Sequence, residues 1–239
     1  MDIKIFESYH ELSKQIAIII ANIVKNKPNA ILCLAAGHTS LGIFEEMIKL
    51  SNEGYVSFDK CIFVSLDEWA GLGKGDDGSC IDFMYNNLFI PLKINNENIV
   101  FYDGKANLQN ECNKIDSYLK DNGPIDFMLL GLGMNGHIGL NEPGVSFDKY
   151  SHIVELDNTT KIVGQKYFNK ETTLSYGITM GFLHIKEAKQ VILAVSSKNK
   201  AEIVKKLLDS EPNFLLPASY LKNLSNCSLY LDKDAAMLI

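Results

Sequence analysis

A three-layer α/β fold, with a mostly parallel sheet covered by helices on both faces, is the class this sequence predicts. Two observations lead there. Short β-branched apolar runs alternate with amphipathic helical patterns along the 239 residues, and strands buried on both faces read as continuous apolar runs in parallel sheets. Each run also stops abruptly in Gly or polar residues, the punctuation of a strand end. No repeat, low-complexity tract or Gly/Ser-rich linker divides the chain, so residues 1–239 are expected to form one domain.

The elements follow in order. Residues 9–25 place Leu12, Ile16, Ile19, Ile20 and Ile23 on one helical stripe. ILCLAA (31–36) reads as a buried strand that breaks into GHTS, and residues 41–50 form a helix on Leu41, Phe44, Met47 and Ile48. CIFVSL (61–66) breaks into DEW, IDFMLLGLG (125–133) into MNGH, and VILAVS (191–196) into SKNK. A helix over 198–208 and a last strand, SLYLD, close the pattern. In open parallel sheets ligands bind beyond the carboxyl ends of the strands, near a topological switch point. Gly37 to Ser40, Asp67, Asn135 to Glu142 and Lys198 to Lys200 all follow strand ends, so they are expected to converge on one crevice.

Composition narrows the partners. The net charge is -6 and the chain contains no arginine, so all 23 basic residues are lysines. Nucleic acid is a poor partner for such a surface. Any phosphate must be held by backbone N–H groups, hydroxyls and lysine point charges. The five cysteines are scattered without a C-x-x-C pair, which suits reduced thiols and a cytoplasmic setting. The run IAIII (16–20) is too short to span a bilayer, and the N-terminal stretch lacks an apolar signal core.

Three segments carry chemistry. LAAGHTSLG is a strand, a Gly turn and a helix start. That is the layout of an anion site, where free N–H groups face the ligand. It is equally the layout of a helix cap made by Thr39 or Ser40. Neither a Walker loop nor G-x-G-x-x-G is present. SLDEW puts two acids after a buried strand, suited to a general base or to a cap. GLGMNGHIGLNEPG (131–144) sets His137 in a glycine-rich frame with Asn135 before it and Glu142 after it. Histidine titrates near neutrality, and a carboxylate on one ring nitrogen fixes its tautomer. No zinc-type spacing surrounds it, so no metal is expected.

With these residues in hand, the chain resembles the glucosamine-6-phosphate deaminase/isomerase family. The likeness runs through LAAGHTSLG, VSLDEWAGL, IDFMLLGLGMNGHIGLNEPG, GITMGFLHIKEAKQVILAVSSKNKA and LPASYL, in that order. Trp69, the GSC at 78–80 and Leu140 resemble the galactosamine-6-phosphate branch. The resemblance implies a modified Rossmann-like fold shared with 6-phosphogluconolactonases. It implies Asp67 as the base that moves a proton between C2 and C1, His137 as the ring-opening group, and Glu142 as its tuner. The phosphate cradle it implies is Ala36, Gly37, His38 and Thr39 with Gly136, Lys200 and Lys166, the last standing where an arginine is usual. No cofactor is implied, and the partner is a small hexosamine 6-phosphate.

Two positions depart from the family pattern. Asn135 stands where many members carry Asp. It cannot exchange a proton, but it can position His137 by hydrogen bonding. Ala36 and His38 replace more usual hydroxyl residues. Two other functions compete with a deaminase: a 6-phosphogluconolactonase-type hydrolase and a non-catalytic sugar-phosphate sensor.

Overall fold

The computed structural model describes residues 1–239. Ten strands form: β1 (Asp2–Phe6), β2 (Ile31–Leu34), β3 (Ile62–Val64), β4 (Asp67–Trp69), β5 (Ile99–Val100), β6 (Phe127–Gly131), β7 (His152–Glu155), β8 (Tyr176–Thr179), β9 (Val191–Val195) and β10 (Cys227–Asp232). The helices are α1 (Tyr9–Asn26), α2 (His38–Asn52), α3 (Cys80–Met84), α4 (Ile90–Leu92), α5 (Leu108–Asn122), α6 (Asn158–Gly164), α7 (Phe182–Glu187) and α8 (Ala201–Asp209). A π turn over Tyr85–Phe89 joins α3 to α4.

Seven strands make one parallel sheet in the order β1-β10-β9-β6-β2-β3-β5. Its period of two sorts the core into halves. Ile31, Cys33, Met128, Leu130, Val191 and Leu193 face α5, α7 and α8. Leu32, Leu34, Phe127, Leu129, Ile192 and Ala194 face α1, α2 and the 80–92 helices. Both faces are therefore buried, which is why these strands were legible as unbroken apolar runs. No helix is long and apolar enough to cross a membrane.

The strand order sets the site. From β2 the chain moves outward through β3 to β5, then returns to lay β6 on the other side of β2. The ladder between β2 and β6 is thus the switch point, and a crevice opens where their carboxyl ends part.

Three details differ from the sequence reading. Helix α2 begins at His38, so the expected loop GHTS is largely its first turn. On α1 the buried stripe is Leu12, Ile16, Ile20 and Val24 with Ala17 and Ala21, while Ile19 and Ile23 lie at its margin. The acids of DEW are not in a loop. They form β4, which pairs antiparallel with β8 in a small second sheet of order β4-β8-β7. Strands of three or four residues carry too short a pattern to register in sequence.

Glu68 shows what that small sheet anchors. It is fully buried, and its carboxylate accepts the N–H groups of Trp69 (2.8 Å), Cys80 (2.9 Å) and Ile81 (2.9 Å). It therefore ties β4 to the start of α3. Glu68→Ala leaves three N–H groups without that acceptor and should lower stability by about 3 kcal/mol. Urea unfolding followed by the single tryptophan, Trp69, measures this. A loss under about 0.5 kcal/mol, the level of an ordinary surface change, would show that the anchor does not matter.

Candidate active site

A cleft of about 650 Å³ opens over the switch point. Ala36, Gly37, His38, Thr39, Asp67, His137, Lys166 and Lys200 all line it. The four strand-end segments therefore meet, as their positions after the apolar runs require. Asn135, Glu142 and Gly136 do not reach its wall.

One end gathers unpartnered N–H groups and lysines. The N–H groups of Ala36, Gly37, His38 and Thr39 have no partner in the protein. No side chain caps α2, and Ser40 instead donates to the Ala35 carbonyl at 2.7 Å. The helix start thus leaves its N–H groups free, with the positive end of the macrodipole behind them. Lys200 donates to the Leu132 carbonyl at 2.6 Å. No carboxylate lies within ion-pair distance of Lys200 or Lys166. Burial, reinforced by the charge of Lys166, pushes the Lys200 ammonium down to about 8. Burial lowers Lys166 as well, and burial followed by the Lys166 charge lowers His38. Two crowded lysines without a counter-charge are what a dianion would relieve, while the same surroundings disfavour the charged form of His38.

The other end carries the acid–base groups. Asp67 opens β4 opposite Thr179. Burial pushes its carboxyl up to about 6, against opposite pulls from His137 and the Cys80 thiol. His137 follows the tight turn at Gly136, whose φ is 85°. Its N–H donates to Asn135 Oδ1 at 3.2 Å. Its ring lies flat against Gly133, where a Cβ would come within 2.4 Å of Nε2. Only glycine fits there. Nδ1 is engaged by Thr160 Oγ1 at 3.0 Å and Glu142 Oε2 at 3.3 Å, so Nε2 is the nitrogen left for a ligand.

Glu142 stands behind the wall, 3% exposed. Burial would raise its pKa, but contacts from His137, Thr160 and Asn135 outweigh it, and the net shift is downward. It therefore stays ionised beside the imidazole. Asn135 Nδ2 donates to Glu142 Oε2 (2.9 Å) and to Asp157 Oδ1 (3.3 Å). An amide suits this place between two carboxylates, since a third acid there would repel both. Gly136, expected against the ligand, instead faces Leu216, which a Cβ would meet at 2.3 Å. Its place is set by the Ala218 N–H, which donates to its carbonyl at 2.9 Å.

Sequence reasoning missed several contributors. Thr160 reaches the imidazole from α6, whose start is signalled by the Asp157 cap on the Thr159 N–H. Thr179 accepts the Leu140 N–H at 3.1 Å and so pins the loop after His137. Tyr167 lines the cleft against His38, with ring centres 5.4 Å apart. Nothing local in the sequence marks Thr179 or Tyr167, because their roles exist only across the fold. No group of three or more His, Cys, Asp and Glu side chains is placed to hold a metal ion.

Comparison with known proteins gives the family and the fold. The family model of glucosamine-6-phosphate isomerases/6-phosphogluconolactonase matches residues 6–229. The chain belongs to this family. It is 36% identical over 241 residues to a glucosamine-6-phosphate deaminase of Thermoanaerobacter sp. (strain X514), covering 100% of this chain and 95% of that one. It is 35% identical to the glucosamine-6-phosphate deaminase of Bacillus pumilus (strain SAFR-032), with both chains fully covered. The solved structure of a monomeric glucosamine-6-phosphate deaminase superposes with a TM-score of 0.96 at 35% identity, covering 100% of both chains. A 6-phosphogluconolactonase from Thermotoga maritima shares the fold at a TM-score of 0.76 and 18% identity, covering 97% of this chain and 98% of that one.

The cationic end makes a measurable claim. Lys200 loses its proton as pH rises through about 8, so attraction for an anion is present below that pH and lost above it. Inorganic phosphate measured by calorimetry should bind about tenfold more weakly at pH about 9.5 than at about 7.5. Lys200→Met should bind weakly throughout, with a flat profile. Equal profiles in the two proteins would exclude Lys200 from the anion site.

Proposed function

We propose that this chain converts an amino-sugar 6-phosphate, glucosamine-6-phosphate first among them, into the ketohexose 6-phosphate and ammonia. The observation that carries the proposal is one cleft with unpartnered N–H groups and two unpaired lysines at one end, and Asp67 and His137 at the other. The names of the full-length relatives support the same substrate class.

The roles follow from the geometry. The N–H groups at Ala36 to Thr39, with Lys166, Lys200 and His38, hold the phosphate. His137, through Nε2, carries a proton between O1 and O5 to open the pyranose ring. Glu142, ionised and against Nδ1, stabilises the imidazolium formed part-way, and Asn135 holds Glu142 and the loop in register. Asp67 then removes the C2 proton from the open-chain aldehyde, and O1 takes up a proton as the double bond moves to C1–C2. Return of the proton to C1 leaves an iminium at C2. Water adds there, ammonia leaves, and the ketone forms. Only protons and water move, so no redox partner enters the balance.

The tuning of Asp67 fits its task. A base with a pKa near 6 is ionised at neutral pH yet stronger than a free carboxylate at about 3.9. The same reading has residues 1–239 acting as one cytoplasmic domain.

Incubation with glucosamine-6-phosphate and galactosamine-6-phosphate should release ammonia from at least one. Silence with both, alongside hydrolysis of 6-phosphogluconolactone, would overturn the proposal. Asp67→Asn should cost about a thousandfold in kcat while leaving binding measurable. His137→Gln should impair the cyclic substrate more than an open-chain analogue; equal impairment would contradict ring opening. The kcat/KM profile should rise through pH about 6, as Asp67 ionises, and fall near about 8, as Lys200 deprotonates. The lower limb should move in Asp67→Glu and stay in place in Lys200→Met.

A further inference from the structure

The anion cradle is held in place by a residue from another helix. Ser8 caps α1 by accepting the Glu11 N–H at 3.2 Å, and the Glu11 carboxylate accepts the Glu7 N–H at 2.9 Å. This fixes Tyr9 as the first residue of α1. Its side chain crosses to the start of α2 and lines the cleft. There the phenol oxygen accepts the Gly42 N–H at 2.7 Å. The same hydroxyl faces two carbonyls, His38 at 3.1 Å and Thr39 at 3.2 Å.

The contact falls where it matters. An α-helix closes by bonds from N–H of residue i to C=O of residue i−4. Gly42 and His38 are such a pair, the first that α2 contains, and the Tyr9 hydroxyl touches both members. The N–H groups of His38 and Thr39, which face the ligand, belong to the same two peptide-linked residues whose carbonyls the phenol holds. Gly42 has no side chain to spare for this approach. A Cβ there would lie 2.9 Å from Tyr9 Cζ and Oη and 2.8 Å from Ser13 Oγ. Close packing of α1 on α2 is thus matched to the hydroxyl's reach.

We propose that Tyr9 is a positioning residue for the phosphate cradle: its hydroxyl holds the first turn of α2 so that the Gly37 to Thr39 N–H groups stay directed at the anion. The inference rests on the reading that a phosphate occupies this end of the cleft. Tyr9 touches neither C1 nor C2 chemistry at Asp67 and His137. Its loss should therefore weaken phosphate binding and leave the chemical step alone.

Tyr9→Phe keeps the ring and removes the hydroxyl. Inorganic phosphate affinity, by calorimetry, should fall about three- to tenfold, the range of one lost hydrogen-bond set. KM for the hexosamine phosphate should rise by a similar factor, with kcat within about twofold of the parent. Ser13→Ala is the packing control. Ser13 Oγ sits one turn along α1, buried beside Gly42, and has no hydrogen-bond partner, so this variant should leave phosphate affinity unchanged. An unchanged phosphate affinity in Tyr9→Phe would overturn the proposal, as would an equal loss in Ser13→Ala. Calorimetry with phosphate reads the Tyr9 contact without turnover. A parent protein that binds phosphate but releases no ammonia would therefore refute the deaminase reading and leave this test decisive.

Discussion

The short ladder between β2 and β6 is the constraint on which the site depends. Leu32, Cys33 and Leu34 pair with Phe127, Met128 and Leu129, and the last bond runs from the Ala35 N–H to the Leu129 carbonyl at 3.0 Å. Beyond it the two chains part. One enters α2 with four N–H groups unpartnered, and the other enters the glycine-rich turn that ends at His137. A parallel sheet that reverses its winding between two adjacent strands must leave a gap there. The unpartnered N–H groups at the start of α2 stand on one lip of that gap and the imidazole of His137 on the other.

The third wall comes from a different kind of sheet. Strand β4 follows β3 after only Ser65 and Leu66, yet it pairs antiparallel with β8. This pairing turns Asp67 toward the cleft and Glu68 away from it, as alternation along a strand demands. Two adjacent acids thereby acquire separate jobs. Glu68 is a buried acceptor for three N–H groups, while Asp67 faces the open space. The same small sheet contributes Thr179, which pins the Leu140 N–H. Asp67 and the loop after His137 are therefore both tied to one small sheet.

Desolvation tunes the groups in opposite senses. Burial raises Asp67 to about 6 and lowers Lys200 to about 8. Both shifts bring groups of ordinary chemistry to within reach of neutral pH. Glu142 is buried too, yet its hydrogen bonds reverse the outcome and keep it ionised. The contrast between Asp67 and Glu142 lies in the balance of burial against partners. Asp67 faces the cleft, and Glu142 is held by Asn135, His137 and the Asp157 N–H.

The sequence by itself determined the central strands, because burial on both faces forces unbroken apolar runs at 31–34, 127–131 and 191–195. It also determined that polar residues follow those runs, and so where a crevice must form. The glycines around His137 were legible as well, since Gly133 and Gly136 are places no other residue fits. Strand order, the small antiparallel sheet and the partners of each functional group were decided by the tertiary structure alone. Thr160 meets His137 across 23 positions, and Tyr9 meets Gly42 across 33. Such contacts leave no periodicity behind them. A hydroxyl that satisfies a distant N–H is chosen by three-dimensional proximity, and local pattern does not encode that.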